Sequence, residues 1–165
     1  MSMPLAFRTE PVAADAAAVR AIVAATGKFT GEEVDIAVEL VDDRLAKRER
    51  SDYAFLFAER AGALVGYACF GRIAGTDASY DLYWIAVDPA CQGQGVGKVI
   101  LRASEAAIAA LGGERVYIDT SSRPDYRPTR AFYEACGYHC AAVLEDFYRA
   151  GDGKAIYCRV VGPAA

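Results

Sequence analysis

Residues 79–122 constrain the fold more than any other stretch. "SYDLYWIAV" is dense in aromatic and β-branched residues and reads as a strand, and "DPACQGQG" follows it as a turn. From Gly95 to Leu111, Val96, Val99, Ile100, Ala103, Ala107 and Leu111 recur at helical spacing, until Gly112 and Gly113 stop the pattern. "RVYIDTSS" then reads as another strand. A strand, a helix and a strand in this order make a crossover that lays the two strands parallel in one sheet.

The flanking sequence supplies the rest of the sheet. Leu5 to Pro11 reads as a first strand and "ADAAAVRAIVAATG" as a helix stopped at Gly27. A second helix starts behind Thr30 as N-cap, carries Glu32 and Glu33 in its first turn and ends in Lys and Arg, matching the helix dipole at both ends. "YAFLFAER" and "ALVGYACFGRI" read as a hairpin turning at Arg60 to Gly62. After the crossover, "PTRAFYEACGY" reads as a short helix with Pro128 in its first turn, and residues 139–161 as two strands joined at "AGDG". The predicted order is βααβββαβαββ: an α/β (α+β) chain with a mixed sheet of about seven strands and about four helices. With 165 residues, 54% hydrophobic and 24% charged, one domain over 1–165 is expected.

Charge and cysteine content exclude several function classes. A formal net charge of −4 argues against a general nucleic-acid binder, which needs a basic surface to neutralise phosphates. No apolar run approaches the length of about 20 residues that spans a bilayer, and "MSMPLAF" lacks a charged leader, so no membrane partner and a cytoplasmic location are expected. Five cysteines form an odd set, as free thiols in a reducing compartment do. "CGYHC" sets the single histidine, His139, beside two thiols, but a structural zinc site needs a second pair of ligands; no metal is expected.

The three alternate glycines, Gly93, Gly95 and Gly97, stand where a helix must begin. Glycine permits positive φ and close approach of a ligand to backbone, and the first four amides of a helix have no intrahelical acceptor, so a bend of this kind receives anions. Two phosphate loops fail on spacing. The P-loop would need Gly at Gln92 and Ser or Thr at Val99, and the dinucleotide fingerprint would need Gly at Lys98 or Ile100.

What fits is Q-x-x-G-x-G, Gln92 to Gly97, between a strand and an amphipathic helix. Here the sequence resembles the GNAT N-acetyltransferase superfamily, whose pyrophosphate loop is [R/Q]-x-x-G-x-[G/A]; "TRAFYEACGY", residues 129–138, is similar to that family's F-Y-x-x-x-G-[F/Y] segment. With the element order, the resemblance covers nearly the whole chain. It implies a GNAT fold and an acetyl-CoA-dependent N-acetyltransferase that moves the acetyl group directly to an amine of a small molecule or peptide. A catalytically silent CoA-binding regulatory module stands as the alternative.

Residue by residue, the resemblance implies that Ile85, Ala86 and Val87 offer a strand edge to the pantetheine arm of acetyl-CoA. Gln92, Gly93, Gln94, Gly95, Val96, Gly97 and Lys98 then hold the pyrophosphate. It aligns Tyr133 with the tyrosine that meets the departing thiolate, and makes Asp81 the first candidate base with Asp119 the second. Phe29, Glu32 and Glu33 in the loop between the first helices, and Asp146 and Tyr148 near the last turn, are implied acceptor contacts whose acidity suits a cationic amine. Tyr126 stands where the family commonly has Asn and Thr129 where Ala is usual, so contacts there are expected to differ. Family habit further implies a possible homodimer through the C-terminal strands.

Overall fold

The computed structural model describes residues 3–162. Seven strands and four helices follow the predicted order: β1 Ala6–Arg8, α1 Asp15–Ala25, α2 Gly31–Lys47, β2 Ala54–Arg60, β3 Ala63–Arg72, β4 Ser79–Val87, α3 Val96–Ala110, β5 Arg115–Ser121, α4 Arg127–Ala135, β6 His139–Arg149 and β7 Asp152–Val160. The first strand is shorter than the Leu5–Pro11 segment expected to form it. The sheet order is β1-β2-β3-β4-β5-β7-β6. The β4–β5 step is parallel, as the crossover requires, while β7 enters antiparallel between β5 and β6. The last hairpin therefore folds back, leaving β6 as the outer strand, an order the sequence pattern did not contain.

Contacts divide the chain into two compact units, residues 1–71 with 84–104 and residues 72–83 with 105–165. In the first, β2 and β3 form a hairpin whose turn residues Ala61 and Gly62 both have positive φ (53° and 79°), the geometry that matches strand twist. Phe55 and Phe57 stand opposite Cys69 and Tyr67 on one face and stack with centroids 5.3 to 6.4 Å apart. Val19, Ile22 and Val23 of α1 and Val34, Ala37 and Val41 of α2 close over that face. Leu56, Ala58, Ala68 and Phe70 alternate with these residues and are buried as well. Burial on both faces explains why the two strands read as almost unbroken apolar runs. At Gly66 a Cβ would lie 2.7 Å from Ile100 Cδ1 and 2.9 Å from the Ala86 carbonyl, so the absence of a side chain lets α3 and β4 approach.

Helix α2 opens with a complete capping box: Thr30 Oγ1 accepts the Glu33 N–H, and the Glu33 carboxylate accepts the Thr30 N–H. In the second unit, β5 buries Val116 and Ile118, and Tyr133, Cys136, Tyr138 and Tyr157 are buried as a group. Tyr138 donates to the buried Glu105 carboxylate at 3.0 Å, and Arg159 pairs with the same carboxylate. All eleven residues of β6 are exposed. Among the described residues no helix is long and apolar enough to cross a membrane.

Candidate functional site

The bend after β4 is assembled by local hydrogen bonds. Asp88 accepts the Ala90 N–H at 2.9 Å and caps a single 3-10 turn over Pro89–Cys91. The Asp88 N–H reaches back to the Val65 carbonyl of β3 at 2.8 Å, fixing where the bend leaves the sheet. Gly93 and Gly95 take positive φ (73° and 77°), and nothing lies within 4 Å of where their Cβ atoms would be. These two glycines are therefore demanded by backbone conformation and not by crowding; Gly97 already lies in α3.

Two exposed glutamine side chains brace the bend. Gln92 Nε2 donates to the Val87 carbonyl at 3.3 Å and Gln94 Nε2 to the Ala90 carbonyl at 3.4 Å. The first helical bond runs from Val99 N–H to the Gly95 carbonyl. Among the described residues, the backbone N–H groups from Gly93 to Lys98 donate to no acceptor of the chain, and Gln92 to Gly95 are exposed. Unpaired amides on an exposed bend at a helix N-terminus can receive an anionic group such as a diphosphate.

The strand before the bend has a free margin. Ladder pairs between β4 and β5 cover Ser79–Asp81 with Arg115–Tyr117, although β4 continues to Val87. Within the later part, Ala86 is buried beneath Gly66, and Ile85 and Val87 are half-buried. A strand edge of this kind offers N–H and C=O groups to an amide-bearing chain.

In the second unit, Tyr133 on α4 is 6% exposed and packs against Phe132, Tyr138 and Tyr157, with centroids 5.5 to 6.1 Å away. Its hydroxyl has no hydrogen-bond partner among the described residues, and it is not fully sealed from solvent. Burial, and then the nearby Cys136, raises the phenol's pKa well above the usual tyrosine range, so it stays protonated. Helix α4 begins at Arg127, after a 3-10 turn that leaves Tyr126 at the N-cap; Pro128 and Thr129 lie in its first turn.

Asp81, opposite Tyr117 on β5, is half-buried. Burial first, and Asp119 second, push its carboxyl above the usual range, while Lys154 opposes them. Asp119 is paired with Lys154 at 2.7 Å, and the Lys154 ammonium also stands 4.6 Å from the centre of the Phe147 ring. Asp119 and Lys154 meet because β7 pairs with β5, setting Lys154 opposite Ser121.

The other implied contacts are dispersed. Phe29 lies edge-on to Trp84 at 4.9 Å and packs against the core of α1 and α2. Glu32 is exposed in the first turn of α2, and Glu33 is engaged in the cap. Asp146 has positive φ (52°) and accepts the Gly151 N–H, holding the last hairpin; Tyr148 is exposed and meets Phe147 edge-on. Sequence reasoning passed over Arg60, whose guanidinium donates to Gln94, and Lys154; neither stands in a motif, and only strand pairing could have located them.

Comparison with known proteins gives concordant results. Residues 21–138 match the acetyltransferase (GNAT) family. Over 106 residues the chain is 34% identical to the N-alpha-acetyltransferase RimI of Mycobacterium tuberculosis, the match covering 64% of this chain and 64% of that protein. A GNAT-family protein from Desulfovibrio desulfuricans, known from a crystal structure, is 44% identical, with TM-score 0.94 over 96% of this chain and 99% of that one. An aminoglycoside 6'-N-acetyltransferase solved in complex with coenzyme A shares the fold at 13% identity, with TM-score 0.78 over 99% of both chains.

Proposed function

Because the chain belongs to the GNAT acetyltransferase family, we propose that it is an acetyl-CoA-dependent N-acetyltransferase acting by direct transfer to the amine of a small molecule or peptide. The observation that carries this is the run of unpaired amides from Gly93 to Lys98 on a bend with open space at both left-handed glycines. Bound there, acetyl-CoA supplies an activated thioester. The amides of the bend, with the positive end of α3, neutralise its diphosphate, and Ile85–Val87 of β4 hydrogen-bond the amides of its arm.

The remaining steps belong to side chains. A lysine-like amine of pKa about 10.4 is protonated in all but about one molecule in a thousand at pH 7 and must lose a proton before it attacks. Asp81 takes it: its raised pKa makes it a stronger base than an ordinary carboxylate, and Asp119 is already tied to Lys154. The amine nitrogen bonds to the acetyl carbon, the carbon–sulfur bond breaks, and the sulfur leaves as a thiolate. Tyr133 donates a hydrogen bond to that sulfur without giving up its proton, since a buried phenolate would be costlier than the thiolate. As the amide forms, the attacking nitrogen releases its second proton, which neutralises the thiolate, and Asp81 returns the first proton to solvent.

The test is calorimetric binding of coenzyme A, followed by free-thiol release from acetyl-CoA across polyamines, amino acids, aminoglycosides and peptide N-termini. Binding together with turnover on at least one amine is expected. Binding without transfer to any member of a broad panel would replace this reading with that of a CoA-binding module, and absence of binding would end both.

A further inference from the structure

Arg60 ends β2 and enters the left-handed Ala61–Gly62 turn. Antiparallel pairing sets it opposite Ala63, and β3 is fastened to the start of the bend two residues later by the Asp88 N–H to Val65 carbonyl bond. The hairpin end and the bend are thus neighbours. Arg60 Nη1 donates to Gln94 Oε1 at 2.9 Å, and Gln94 is itself held to the Ala90 carbonyl. The Arg60 Nε is buried and has no partner. Among the described residues no carboxylate lies within ion-pair distance of Arg60; the adjacent carboxylate, Glu59, is engaged by Arg8.

This arrangement is electrostatically incomplete. A guanidinium carries five N–H donors and a full positive charge. Here it is joined to a loop whose amides are also unpaired donors, and among the described residues the only acceptor offered to it is a neutral amide oxygen. Donors and a cation gathered without a counter-charge are stabilised by an anion that meets both.

We infer that Arg60 is a phosphate-binding residue, steered by Gln94 so that its guanidinium pairs with a phosphate of coenzyme A beside the amides of the bend. The inference rests on the bend being the diphosphate receptor proposed above. Coenzyme A offers two sources of this chemistry, the diphosphate and the ribose 3'-phosphate.

Isothermal titration of the full chain with coenzyme A and with 3'-dephospho-coenzyme A separates them. Arg60→Gln is expected to weaken coenzyme A binding about ten- to hundredfold, the range of one charge-assisted hydrogen bond. Arg60→Lys, which keeps charge but loses the fork, should fall between, and the dependence of affinity on salt should be shallower in Arg60→Gln. An equal loss with both ligands assigns the diphosphate, a loss confined to coenzyme A assigns the 3'-phosphate, and either upholds the inference. Wild-type affinity for both ligands in Arg60→Gln would overturn it while leaving the bend as receptor. No binding by the wild-type protein would overturn both.

Discussion

Tyr133→Phe separates chemistry from stability at a single atom. The ring is buried among Phe132, Tyr138 and Tyr157 and stays so in phenylalanine, while the hydroxyl removed has no partner among the described residues. Its deletion orphans no buried group, so unfolding free energy should change by less than about 0.5 kcal/mol. Turnover should respond differently. A hydrogen bond to the departing sulfur is charge-assisted, worth about 1.5–3 kcal/mol, which corresponds to about a 10- to 100-fold loss in kcat. KM should hold, because the bond gains its strength only as negative charge develops. Since burial keeps the phenol protonated far above neutral pH, the variant should lower the plateau of the pH–rate profile without moving its limbs. Thermal unfolding and thiol release, measured on one preparation, decide the matter. Wild-type kcat in Tyr133→Phe would refute the role, and a fall in kcat accompanied by a drop of many degrees in Tm would show that the hydroxyl serves packing.

Asp81 titrates in the opposite sense from a paired carboxylate. Its folded-state pKa lies above the unfolded value, so the folded chain holds a proton that the unfolded chain has lost, and stability declines as pH rises through the raised value. Asp81→Asn should abolish that decline, seen as a gain in Tm over wild type that grows from acid to neutral pH, and should erase the acidic limb of kcat/KM. Gly95→Ala places a side chain at φ 77° in open space, so backbone strain alone is expected, about 1–2 kcal/mol. Relaxation of the bend should also weaken coenzyme A binding in titration calorimetry. Thr30→Ala removes half of the capping box and should cost about 1 kcal/mol, or about 2–4 °C in Tm, with turnover per folded molecule unchanged.

Much of this protein is written locally. Thr30, three residues ahead of Glu33, specifies a helix start because both partners lie within one turn. The strand–bend–helix run over 79–111 specifies a crossover, and alternate glycines mark the bend because only glycine takes positive φ there without strain. The Q-x-x-G-x-G spacing of Gln92 to Gly97 therefore marked the bend in advance, and the parallel β4–β5 step followed from the helix that connects the two strands.

Tertiary structure decided what depends on partners distant in sequence. That β7 and not β6 pairs with β5 is set by how the last hairpin folds back, and the pairing alone delivers Lys154 to Asp119, alters the field at Asp81 and leaves β6 exposed. Asp146 looks like a free acid in sequence, yet the fold of the last hairpin engages it with the Gly151 N–H. Arg60 reads as an ordinary hairpin cation until the fold sets it against Gln94, 34 residues further along the chain. Backbone preference acts over a few residues and can be read from them; charge and pairing act through space, and only the folded chain fixes those distances.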